Sequence, residues 1–79
     1  MLRTKQPRVV ITFHTTTAAM QTEALLRKLE QPGRLIPVPR EITAGCGLAW
    51  SAPPEGKETL VALLEQEKIA IEEVYELVI

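Results

Sequence analysis

Four extended runs and two helical ones follow one another along this chain of 79 residues, and their order most constrains how it can fold. The first run, Val9-Val10-Ile11-Thr12-Phe13, is β-branched and aromatic, with Val9, Ile11 and Phe13 on one face and Val10 and Thr12 on the other. It reads as a well-buried strand from Arg8 to Phe13. His14-Thr15-Thr16-Thr17 then supplies side-chain oxygens suited to cap a helix. Over Ala18 to Glu30, Ala18, Thr22, Leu25, Leu26 and Leu29 share one side, while Glu23, Arg27 and Glu30 take the other. Pro32-Gly33 ends that helix. Leu35 to Val38 is extended again, but Pro37 and Pro39 bring no amide hydrogen to a ladder, which confines this second strand to a sheet edge.

After a loop from Arg40 to Gly45, the stretch Gly47 to Ser51 reads as a third strand, and Pro53-Pro54-Glu55-Gly56 closes it. A helix from about Lys57 to Glu67 carries Leu60, Leu63 and Leu64 on one stripe. The last run, Val74 to Ile79, alternates Tyr75, Leu77 and Ile79 with Val74, Glu76 and Val78. Strand, helix, strand, strand, helix, strand in one short domain predicts an α+β fold of the ferredoxin-like split βαββαβ type. Its four-stranded antiparallel sheet has spatial order 4-1-3-2 and two helices on one face. The proline-bearing strand then lies at an edge, as its prolines require. The start of the third strand lies beside the end of the first. A single domain over 1–79 is expected, with 1–7 as an N-terminal tail. Trp50 and Tyr75 are assigned to the sheet face that the helices leave uncovered, where they would pack or meet a second copy.

Nine basic against ten acidic residues leave no field to draw in nucleic acid or an anionic membrane. The opening Met1-Leu2-Arg3-Thr4-Lys5-Gln6-Pro7 lacks the apolar stretch of a secretory signal, and no run approaches the roughly 20 apolar residues of a membrane span. A lone cysteine forms no intrachain disulfide, so the expected compartment is the reducing cytoplasm. One cysteine and one histidine fall short of the three or four ligands a metal needs, and the glycine patterns of phosphate and dinucleotide sites are missing. Neither metal nor cofactor is expected. Glu65, Glu67, Glu72, Glu73 and Glu76 read as a solvated face rather than paired acid and base.

The chemistry therefore narrows to Cys46, set between Gly45 and Gly47, where small neighbours let another molecule approach a thiol. A free thiol is mostly protonated at neutral pH, and only the thiolate is an effective nucleophile. The topology offers two sources of positive potential: the N-terminus of the first helix, entered through Thr15 and Thr16, and the basic groups His14 and Arg40. Each of these residues has a plainer role as well. The cysteine can serve as a small hydrophobe, His14 as a solvent-facing strand end, the threonines as caps and Arg40 as a loop-fixing residue.

Val9 to Phe13 with the threonine cluster, followed by Pro32-Gly33-Arg34-Leu35-Ile36-Pro37-Val38-Pro39-Arg40-Glu41-Ile42-Thr43-Ala44-Gly45-Cys46-Gly47-Leu48-Ala49-Trp50, closely resembles the Putative Se/S (selenium/sulfur) carrier protein-like family of small bacterial and archaeal proteins. The resemblance implies that Cys46 holds sulfur as a persulfide, or selenium as a selenopersulfide. It would take the atom from a cysteine desulfurase-type donor and pass it to an acceptor protein or enzyme. Arg40 and Gly45 are motif positions in that comparison. Two other readings stand beside it. One is a non-catalytic small-ligand-binding or regulatory module, or a homodimer joined through the open sheet face, with Cys46 incidental. The other is a stand-alone thiol-dependent enzyme, for which the chain lacks a resolving cysteine.

Overall fold

The computed structural model describes residues 5–42 and 45–79. Its elements are β1 (Pro7–Thr12), α1 (Thr16–Lys28), β2 (Arg34–Pro37), β3 (Leu48–Ala52), a single 3₁₀ turn (Pro54–Gly56), α2 (Lys57–Gln66) and β4 (Glu73–Val78). The helix α1 starts where Thr15, in extended conformation, turns its Oγ1 to accept from the Ala18 amide at 3.1 Å. It stops before Pro32-Gly33, because Glu30 adopts a φ of 54° and the Gln31 amide donates back to the Leu26 carbonyl at 2.8 Å. Leu29, placed on the apolar stripe by periodicity, consequently lies past the last helical residue and is 41% exposed.

The four strands form one antiparallel sheet in the order β2-β3-β1-β4, which counted from the other edge is 4-1-3-2. Thus β2, with its prolines, is an edge strand, tied to the turn before β3 by the Val38 amide donating to the Gly47 carbonyl at 3.0 Å. Pairing begins earlier than the expected tail allowed. Pro7 is in β1, and Gln6 and Ile79 exchange hydrogen bonds of 3.0 and 3.1 Å.

One face of the sheet carries the core. Val9, Ile11 and Phe13, with Trp50 and Ala52, pack against Ala18, Ala19 and Leu26 of α1 and Leu60 and Leu64 of α2. Both helices therefore bury their stripes against the same face, and the removal of this apolar surface from water is the main source of stability. Trp50 departs from expectation. The register sets it opposite Ile11 on one side and Leu35 on the other, so it points toward the helices and is 1% exposed. Tyr75, opposite Val10, does lie on the other face. There Val10, Thr12, Ala49 and Ser51 are buried, flanked in register by the longer Tyr75, Ile36 and Arg34. No helix among the described residues is long and apolar enough to cross a membrane.

Candidate functional site

Cys46 occupies a bend just before β3, at the end of the sheet where β1 finishes. The two flanking glycines have different physical duties. A Cβ on Gly45 would sit 3.2 Å from the His14 carbonyl oxygen and 3.8 Å from its Cα, so Gly45 lets the bend rest against the chain leaving β1. Gly47 has a φ of 77°, a conformation that L side chains rarely adopt, and a Cβ there would meet nothing within 4 Å. One side of the bend is open. The cysteine itself is half-buried, packed against the margin of the core, and its Sγ donates to the Leu48 carbonyl at 3.4 Å.

That hydrogen bond differs from the setting expected for the thiol. Among the described residues no hydrogen bond joins Sγ to His14, Arg40 or an amide of α1. Thr15 is engaged in capping α1, and Thr16 is exposed in its first turn. Arg40 lies exposed in the turn after β2 and forms no ion pair among the described residues. Thr43 and Ala44, also part of the motif, fall outside the described residues. The structure therefore gathers His14, Gly45, Cys46 and Gly47 at one end of the sheet, with the start of α1 following directly.

The residue that sequence reasoning missed here is Glu72. Its amide donates to the Thr12 carbonyl at 2.8 Å, and its carboxylate accepts from the Gly45 amide at 3.1 Å. The same Oε1 lies 3.8 Å from His14 Nδ1, an ion pair when that imidazole is protonated; the Glu72 side chain is 23% exposed and that of His14 66%. One carboxylate thus ties together the end of β1, the approach to β4 and the bend that carries the thiol. The signal was available in the topology: β4 runs antiparallel to β1, so whatever precedes β4 must arrive where β1 ends.

Removing this tether has a measurable consequence. Glu72→Ala leaves the Gly45 amide without its acceptor, at a cost of about 1 kcal/mol, and loosens the bend, so iodoacetamide should alkylate Cys46 faster than in the unaltered protein. Glu72→Gln keeps an acceptor oxygen and should behave nearly as the parent does. Equal alkylation rates for Glu72→Ala and the parent would show that the tether does not govern access to the thiol.

Neither among curated proteins nor among solved structures does any significant match to the chain occur. The model of the family described as Putative Se/S carrier protein-like does match, over residues 8–76, from β1 through the Cys46 bend and into β4, and the chain belongs to that family.

Proposed function

We propose that Cys46 is the carrier atom of a sulfur or selenium relay, and that the fold around it is a ferredoxin-like scaffold holding that thiol at one end of its sheet. The observation that carries this reading is the lone half-buried thiol on a glycine-flanked bend with empty space beside Gly47, in a chain of the Se/S carrier family. In the loading step the deprotonated Cys46 sulfur attacks the terminal sulfur of a donor cysteine persulfide. The S–S bond of the donor breaks, the donor leaves as a thiolate, and Cys46 becomes the persulfide. A cysteine desulfurase-type enzyme is a donor of that chemistry, and selenium follows the same displacement. Delivery to an acceptor thiol reverses the roles. The chain has no second cysteine to collapse the persulfide into an intrachain disulfide, so the loaded form can wait for its acceptor, and a reducing cytoplasm suits both steps.

The added sulfur replaces the thiol hydrogen, so loading breaks the Sγ–Leu48 hydrogen bond and turns the new atom toward a different neighbour. Glycines at 45 and 47 leave room for that rotation and for a partner's backbone. Arg40, exposed on the same connecting segment, is the motif cation that can meet a persulfide anion or an acidic docking partner. The test is intact-protein mass spectrometry after anaerobic incubation with a cysteine desulfurase and L-cysteine. The expected result is the mass of one sulfur atom gained, localised to Cys46, and no gain for Cys46→Ala. No loading from several donors, with the thiol shown to be reduced, would overturn the carrier reading.

A further inference from the structure

On the sheet face away from the helices lies an open trough of about 980 Å³, bordered by Arg8 and Arg34 at one end and by Pro37 and Pro39 at the other, with Ser51 and Ile36 between. It is formed by β1, β2 and β3 with Gln6 and Ile79 at its margin, and none of its lining residues belongs to the His14–Glu72 corner that holds Cys46. Arg34 and Ser51 are partners across the β2–β3 ladder, which sets their side chains on the same face. Arg8 comes to the same serine from β1, its Nε donating to Ser51 Oγ at 3.0 Å and its Nη2 to the Ser51 carbonyl at 3.3 Å. Two guanidinium side chains thus line one end of one trough.

Neither guanidinium is ion-paired among the described residues. The ion pairs among the described residues are His14–Glu72 and Lys57–Glu76; no Asp or Glu side chain lines the trough, residues 1–4 and 43–44 contain no acid, and Ile79, the last residue, also lines the trough but forms no ion pair with either arginine. Arg34 has no hydrogen-bond partner among the described residues. Arg8 uses part of its five-donor fork on Ser51, which fixes the group in place and leaves the remaining N–H donors for a ligand. Two like charges lining one trough repel, and an anion placed between them relieves that repulsion while accepting charge-assisted hydrogen bonds from both. The rest of the surface is different in character: Ile36, Pro37 and Pro39 are apolar.

We infer that this trough is a binding site for an organic oxyanion, a molecule whose phosphate or carboxylate group is held by Arg8 and Arg34 beside Ser51 while an apolar body lies along Ile36, Pro37 and Pro39. The volume exceeds what a bare inorganic ion fills and falls within the range of small-molecule sites. The proposal is independent of sulfur loading, since no part of the recognition uses Cys46.

The test is an NMR titration of the ¹⁵N-labelled full chain with phenyl phosphate and, separately, with hexanoate, following backbone amides and arginine Nε–Hε signals. Saturable shifts concentrated at Arg8, Arg34 and Ser51 with either probe are the expected result, and the tighter probe identifies the headgroup. Arg34→Gln should weaken the apparent Kd about tenfold or more, whereas Arg34→Lys, which keeps the charge without the fork, should fall between the two. Arg27→Gln, on the exposed part of α1, should leave the affinity unchanged. Shifts that do not saturate with either probe would overturn the site. So would an affinity insensitive to Arg34→Gln, or one that falls equally with Arg27→Gln.

Discussion

Replacing Gly33 with alanine is expected to lower stability by about 3–5 kcal/mol, combining a backbone strain of about 1–3 kcal/mol with overpacking of similar size. Gly33 has a φ of 121°, and a Cβ built there would lie 2.5 Å from the Ser51 carbonyl oxygen, 2.6 Å from Trp50 Nε1 and 3.0 Å from the Ala52 Cβ. Two of those three atoms cannot step aside cheaply. The Ser51 carbonyl is backbone in a central strand, and the Trp50 indole is the largest fully buried side chain of the core. The Trp50 Nε1–H already lacks a hydrogen-bond partner among the described residues, so pushing a methyl group against it offers no compensation. Against a native stability of about 5–15 kcal/mol, with small domains toward the low end, such a loss leaves much of the protein unfolded. Trp50 is the sole tryptophan, and its fluorescence during urea denaturation reads the change directly. The companion Gly47→Ala, with a φ of 77° and no atom within 4 Å of its Cβ, should cost only about 1 kcal/mol, since conformation alone is at stake. A Gly33→Ala protein within 1 kcal/mol of the parent would show that β2 and β3 can separate without penalty.

Phe13→Ala should cost about 3–5 kcal/mol by leaving a cavity that the fixed backbone of β1 cannot close. Phe13 is fully buried in the same cluster as Trp50 and Leu26, and Cys46 packs against that cluster from outside. The effect is therefore expected on two readouts at once. The urea midpoint followed at Trp50 falls, and alkylation of Cys46 accelerates because the bend loses its inner support. Phe13→Leu refills most of the volume and should cost less than about 1.5 kcal/mol. If Phe13→Ala lowered the midpoint but left the alkylation rate unchanged, the cysteine bend would be held by Glu72 and the backbone alone.

Much of this architecture was legible from local chemistry. Val9 to Phe13 could hardly be anything but a buried strand, and Pro37 and Pro39 dictate an edge. The antiparallel logic that followed brought Gly45 and Cys46 to the end of β1, where the structure has them beside His14. Trp50 failed because its face depends on the register of β3 against β1. A register shift of one residue reverses every side chain, and the long connection before β3 carries no turn signal that sets it. Glu72 failed for another reason. Among glutamates that are otherwise exposed, nothing local distinguishes it, and its value arises from arriving within reach of the Gly45 amide. Interactions between residues far apart in sequence become visible only once the sheet is assembled.

The prolines of β2 have one more consequence. Because the Val38 amide points inward to the Gly47 carbonyl, the alternation of a strand turns the backbone nitrogens of residues 37 and 39 outward, and both belong to prolines. Past the Leu35 amide, that rim of the sheet offers carbonyl acceptors without donors, which opposes the pairing of a strand from another chain. On the opposite rim β4 carries the exposed carboxylate of Glu73, whose charge opposes the pairing of identical copies there, while Glu76 is tied to Lys57. Both rims thus carry features that oppose edge-to-edge pairing. On the carrier function proposed above, a partner would meet the glycine-flanked corner as a folded surface rather than as an added strand.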